Sequence, residues 1–188
     1  IHSVTSKDLR IEVTGDALEI DHPQLRWDNF LTAFRGLGSS GAKADISLVV
    51  PRNIAITLGV VSASALIAGF TTDAKLNTVS GDILVDGLTG DLDVNSVNGD
   101  VQVRGLHGAF NANSVSGDIA ATGTLRRADA DTVSGNVLFD SDGPISQVNI
   151  NTVNGNATLR LPEGYPSNSV VRSVSGKIVL DGVVHSGS

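Results

Sequence analysis

The chain has 188 residues, 40% hydrophobic and only 4% aromatic, with 21 glycines, no cysteine, no methionine and a net charge of −7. This is enough apolar material for one domain with a real core, packed by small and β-branched residues. The acidic balance argues against nucleic acid as a partner, because phosphate binding needs a basic stripe. The lack of cysteine excludes disulfides and thiol chemistry.

The first 50 residues carry no repeat. Residues 9–13 and 17–20 alternate as strands do, with a turn at Gly15-Asp16 between them. Residues 22–34 have room for a short helix carrying Trp27, Phe30 and Phe34. Residues 36–41 read as a glycine-rich loop, and residues 45–50 as a strand ending at Pro51. We assign residues 1–50 to an N-terminal cap and residues 51–188 to a repeat region, within one folded unit. A cap is needed because an open repeat end is an exposed sheet edge. The sequence begins at Ile1 without methionine, as expected of a fragment or processed form, and no signal-peptide pattern opens it.

Residues 53–72 contain no charged side chain and match a bilayer in length. They are rich in Ser, Thr, Gly and Ala, and they keep the register of the repeat that follows. We therefore read a degenerate first coil and no membrane span.

The repeat announces itself as a six-residue word. Asn77-Thr78-Val79-Ser80-Gly81-Asp82 returns at Asn95, at Asn113, and more loosely at Asp131, Asn151 and Arg172. The word's glycines fall at 81, 99, 117, 135, 155 and 176, in steps of 18, 18, 18, 20 and 21. A short fixed period marks a stack of equivalent coils. Counting from each such glycine, apolar residues recur at +2, +4, +7, +11, +13 and +16. In the first clear coil these are Ile83, Val85, Leu88, Leu92, Val94 and Val97.

A spacing of two places side chains on one strand face, and a spacing of three suggests a bend. The expected fold is all-β: a parallel β-solenoid of about seven short coils, stacked at about 4.8 Å into a rod of roughly 35 Å. Leu161-Pro162-Glu163-Gly164 suggests a loop before the last coil. In that coil Ile178, Val179 and Leu180 form an edge that only the tail 182–188 can cover, which makes self-association there an expected mode of partnering.

Stacking puts Asp82, Asp100 and Asp118 in one column, where like charges repel unless a donor or cation lies among them. A second column, Asn77, Asn95, Asn113, Asp131 and Asn151, is suited to a ladder of amide hydrogen bonds. Calcium is disfavoured, since the Gly-Gly-x-Gly-x-Asp pattern of Ca²⁺-binding nonapeptides is missing. Catalysis is disfavoured too. His2, His22, His107 and His185 are scattered, and the serines recur as a set in the turn word. We assign no catalytic, cofactor-binding or metal residue.

The Thr/Ser-Val-Ser/Asn-Gly-Asp word, repeated in register and preceded by Val49-Val50-Pro51, resembles the bacterial DUF4097 family, often labelled as adhesins. The resemblance covers about residues 44–182, and the segment around Trp27 departs from the repeat. It implies a parallel β-solenoid and a role in the cell envelope or outside the cell. It supplies no catalytic residues. The expected function is a non-enzymatic structural or interaction module that meets a protein or glycan surface. The alternatives are a carbohydrate-active β-helix enzyme and a Ca²⁺-stabilised surface repeat.

Overall fold

The computed structural model describes residues 5–6, 9–14, 17–21, 51–164, 167–181 and 183–186. The expected helix in 22–34, loop at 36–41 and strand at 45–50 lie outside them.

Among the described residues every regular element is a strand. β1 (Thr5–Ser6), β2 (Leu9–Thr14) and β3 (Ala17–Asp21) form an antiparallel run, and β2 and β3 contain the two strands expected at 9–13 and 17–20. β3 then lies parallel to β4 (Ala55–Ser62), the first strand of the rod. From there the chain winds. β5 (Ala65–Phe70), β6 (Ala74–Ser80), β7 (Ile83–Thr89) and β8 (Leu92–Asn98) alternate between two faces. β9 (Val101–Ser116) and β10 (Ile119–Ser134) each run through a whole coil, their first halves on one face and their second halves on the other. β11 (Val137–Ser141), β12 (Gln147–Asn154), β13 (Ala157–Arg160), β14 (Asn168–Ser175) and β15 (Lys177–Leu180) continue the alternation. β16 (Val183–Ser186) folds back antiparallel onto β15.

The result is the parallel β-solenoid of about seven turns that the repeat predicts. One face runs β4-β6-β8, then the second halves of β9 and β10, then β12-β14. The other runs β5-β7, the first halves of β9 and β10, then β11-β13-β15-β16. Pairing is one coil to the next: Leu76 lies beside Val94, and Val94 beside Ala112. The longer steps of 20 and 21 are absorbed outside strands. Residues 142–146 form one loop, and Glu163 and Gly164 form a turn after β13 in the segment expected to hold a loop.

The core is a single apolar stack between the faces. Ile83, Val85 and Leu88 of one face meet Leu92 and Val94 of the other, all at most 1% exposed. Phe110 and Phe139 pack edge to face, with ring centres 5.7 Å apart. This is one of the favoured aromatic geometries.

One expectation fails. In the coils that follow Gly81 and Gly99 the +2, +4, +7, +11 and +13 positions are buried, but the word's valine at +16 faces outward. Val97 is half-buried, while Val115, Val133 and Val153 are 43–48% exposed and Val174 is 77% exposed. The hydroxyl residue before it is inside instead: Thr78, Ser96, Ser114, Thr132, Thr152 and Ser173 are all buried. The reason is that the two spacings of three differ. Between +4 and +7 a glycine at +6, such as Gly87 with φ +71°, takes a left-handed turn and resets the alternation. Between +13 and +16 no glycine intervenes, so β8 stays straight. Its inward set continues Leu92, Val94, Ser96, leaving Val97 on the outer side.

Candidate interaction surface

The surface follows from what each coil places outward. On the face that carries β6, β8 and β12, three outward columns run along the rod. The first reads Lys75, Asp93, Asn111, Asp129 and Asn149. The second is the expected amide column, from Asn77 to Asn151. The third is the exposed valine column. Its outward orientation was not visible from a hydrophobicity count, because valine in a regular repeat reads as core.

The amide column forms the expected ladder. Asn95 Nδ2 donates to Asn77 Oδ1 at 3.0 Å, Asn113 Nδ2 to Asn95 Oδ1 at 3.1 Å, and Asn151 Nδ2 to Asp131 Oδ1 at 2.8 Å. The neighbouring column alternates carboxylate and amide to the same end. Asn111 Nδ2 donates to Asp93 Oδ1 at 2.9 Å, and Asn149 donates to Asp129.

At the bends the stacked aspartates find a donor, and it is backbone. The Asp100 amide donates to Asp82 Oδ1 at 3.0 Å, the Asp118 amide to Asp100 Oδ1 at 2.9 Å, and the Asn136 amide to Asp118 Oδ1 at 2.7 Å. The Asn156 and Lys177 amides continue the series onto Asn136 and Asn156. Each carboxylate thus caps the next coil's N–H, a charge-assisted bond stronger than a neutral one. On the second bend the Asp91 amide donates to Asp73, and Asp91 in turn accepts from the Ala109 amide at 2.9 Å.

Two arginines break the pattern. Arg126 stands at +9, where Gly90 and Gly108 stand in earlier coils, and the register of β10 on β9 shifts there. Its guanidinium reaches back across a whole coil to Asp91, with Nη2 at 2.8 and 3.1 Å from the two carboxylate oxygens. Arg127 pairs with Asp129, whose hydrogen bond and charge raise the guanidinium above its ordinary pKa. Together with Asp93 and Asn111 these four groups rim a shallow open depression. The sequence offset sets Arg126 against the bend glycines, but in the pairing Leu125 lies opposite Gly108 and Arg126 is the extra residue of a bulge.

His107 is exposed on the outer side of β9. His2 and His22 lie outside the described residues. Among the described residues no three His, Cys, Asp or Glu side chains gather in a cluster that could hold a metal ion. No described helix is long and apolar enough to cross a membrane.

The family model Toastrack DUF4097 matches residues 2–184. The chain belongs to this family. The match extends past the repeat region into the N-terminal segment, so the part around Trp27 is family sequence too. Neither the curated proteins nor the solved structures compared with the chain gave a match.

Proposed function

We propose that this chain is a non-enzymatic interaction module, an adhesin-like solenoid of the bacterial cell envelope that presents a flat face to a protein or glycan surface. The observation that carries this reading is the outer face itself. An apolar column from Val115 to Val174 runs beside hydrogen-bonding amide and carboxylate columns at one coil spacing. Contiguous exposed apolar stripes rimmed by polar groups are the usual mark of a binding surface. The same reading accounts for the repeated acids. Asp82, Asp100 and Asp118 are engaged in holding coil to coil, which is a structural use of groups that a hydrolase would keep for substrate.

The test is co-sedimentation of the purified chain with cell-wall polysaccharides and envelope fractions, alongside an assay for released reducing ends. We expect co-sedimentation without release, weakened at least about tenfold by Val115→Lys with Val133→Lys. Release of reducing ends from any polysaccharide overturns the non-enzymatic reading. Failure to sediment with every fraction overturns the envelope reading.

A further inference from the structure

The C-terminal end of the rod is a step. On one face β16 covers β15, adding a layer about 4.8 Å high. On the other face β14 pairs with β12 and, among the described residues, with nothing beyond it. The edge expected to be open, at Ile178, Val179 and Leu180, is therefore closed. The open edges are those of β14 and the far side of β16.

We infer that two copies of the chain join end to end through this step, each copy's β16 filling the recess above the partner's β14. The geometry singles out one symmetry. The chain runs along one face and returns along the other, so strands of the two faces point in opposite directions. A two-fold axis lying between the faces and along the strands exchanges the faces while preserving strand direction. It places each β16 level with the recess over the partner's β14. β16 is antiparallel to β15, so it runs parallel to that β14. Each sheet of one copy then continues into a sheet of the other, and both open edges are paired at once. An isologous contact of this kind closes at two copies, because each C-terminal end is used up by the other.

Charge favours this end over any other. Residues 157–188 hold Arg160, Arg172 and Lys177 against Glu163 and Asp181, a net +1 in a chain of −7. The sides of the rod carry the aspartate columns, where two copies repel. At the C-terminal coil the amide column ends in Arg172 and the aspartate cap column in Lys177. The inference rests on the interaction-module reading and deepens it by naming one partner, a second copy of the chain.

The β14 backbone supplies a clean probe. The Asn168 amide donates to Ser146 O at 3.3 Å, on the side of β12. Alternation then sends the Ser169 and Val171 amides to the open side. Ser169 is exposed, so Ser169→Pro removes an N–H from the free edge and none from the ladder to β12.

Sedimentation of the purified chain from micromolar to millimolar concentration should show a monomer–dimer equilibrium. Ser169→Pro should weaken it at least about tenfold. Arg172→Glu with Lys177→Glu should weaken it at low salt and recover as salt is raised. Hydrogen exchange of the wild type gives a reading independent of whether any variant folds: protection of the Ser169 and Val171 amides should rise with concentration. A chain that stays monomeric throughout overturns the inference. So does a dimer whose Ser169 and Val171 amides exchange alike at all concentrations. A monomer that binds envelope fractions and loses that binding on Ser169→Pro would put a foreign strand on this edge, and also overturns it. None of these measurements uses polysaccharide hydrolysis, so the two readings fail separately.

Discussion

Replacing Gly117 by alanine tests whether the coils are held as close as the repeat requires. Gly117 has φ +129°, and a Cβ built there would lie 2.2 Å from Gly99 O and 2.7 Å from Gly99 C. Ordinary contact begins at 3.4 Å, so the two coils would have to part by roughly 1 Å at the bend, against packing that resists compression. The obstacle is backbone, so no side chain can swing away. The amides on either side are engaged as well: Gly117 N donates to Ser134 O and Gly99 N to Ser116 O, each at 3.1 Å. Backbone strain costs about 1–3 kcal/mol and overpacking costs about 1–3 kcal/mol more. The sum is about 2–6 kcal/mol, or a fall of about 4–24 °C in melting temperature for a domain of this size. Gly69→Ala is the control. Its φ is +72°, but nothing lies within 4 Å of the added carbon, so only the conformational cost of about 1 kcal/mol remains. Thermal and urea unfolding of the two variants against wild type gives the comparison. Equal shifts for Gly117→Ala and Gly69→Ala would refute the close approach of stacked bends.

Other perturbations test the register and the caps. Val103→Asp, at a position 1% exposed, should abolish folding or solubility, whereas Arg104→Asp beside it should change stability by less than about 0.5 kcal/mol. Val97→Asp should fall between them in melting temperature, since that side chain is half-buried on the outer side; a loss as large as that of Val103→Asp would return it to the core. Thr132→Val should stabilise by up to about 1 kcal/mol in urea unfolding, because its hydroxyl is buried without a hydrogen-bond partner among the described residues. Asp100→Ala should cost about 1–2 kcal/mol through loss of the bond from the Asp118 amide, while Asp86→Ala, exposed and outside the cap column, should be near neutral.

Much of this architecture is legible in the sequence because a solenoid repeats each physical requirement once per coil. The word's glycine marks a bend, and the bend is crowded for the same reason in each coil: the equivalent residue below, Ala63 under Gly81 and a glycine thereafter, offers its carbonyl where a Cβ would sit. The Asn column could be read as a ladder because equivalent residues must stack. The donor for the Asp column was harder to see, since a backbone amide leaves no trace in composition. The outward valines were misread for a definable reason. Hydrophobicity alone treats +4 to +7 and +13 to +16 as the same spacing, yet only the first contains a glycine. Gly87 and Gly105, with φ +71° and +62°, distinguish a true reset of alternation from a strand that runs on. The closing of the last coil was misplaced because four residues of tail, too few to read as a strand by periodicity, are enough to pair with β15.

In a repeat of this kind the residues that recur are accounted for by stacking, so chemistry specific to this chain is to be sought where the repeat is broken. Three breaks stand out. Arg126 is the extra residue of a bulge at a bend and binds Asp91 across a coil, in an ion pair whose partners are more than half exposed. Such a pair contributes little to stability, so its main physical effect is to fix the positions of two charges on the rim of a shallow depression. The amide column ends in Arg172, and the aspartate cap column ends in Lys177. Both changes place a cation where the next coil would begin, at the end of the rod that still has an open strand. Neither change improves the stack below it, because an Asn at Arg172 could have continued the ladder from Asn151. The substitutions that the interior of the rod does not require are thus gathered on its surface depression and its C-terminal edge, which is where variants can test the proposed contacts without disturbing the stack.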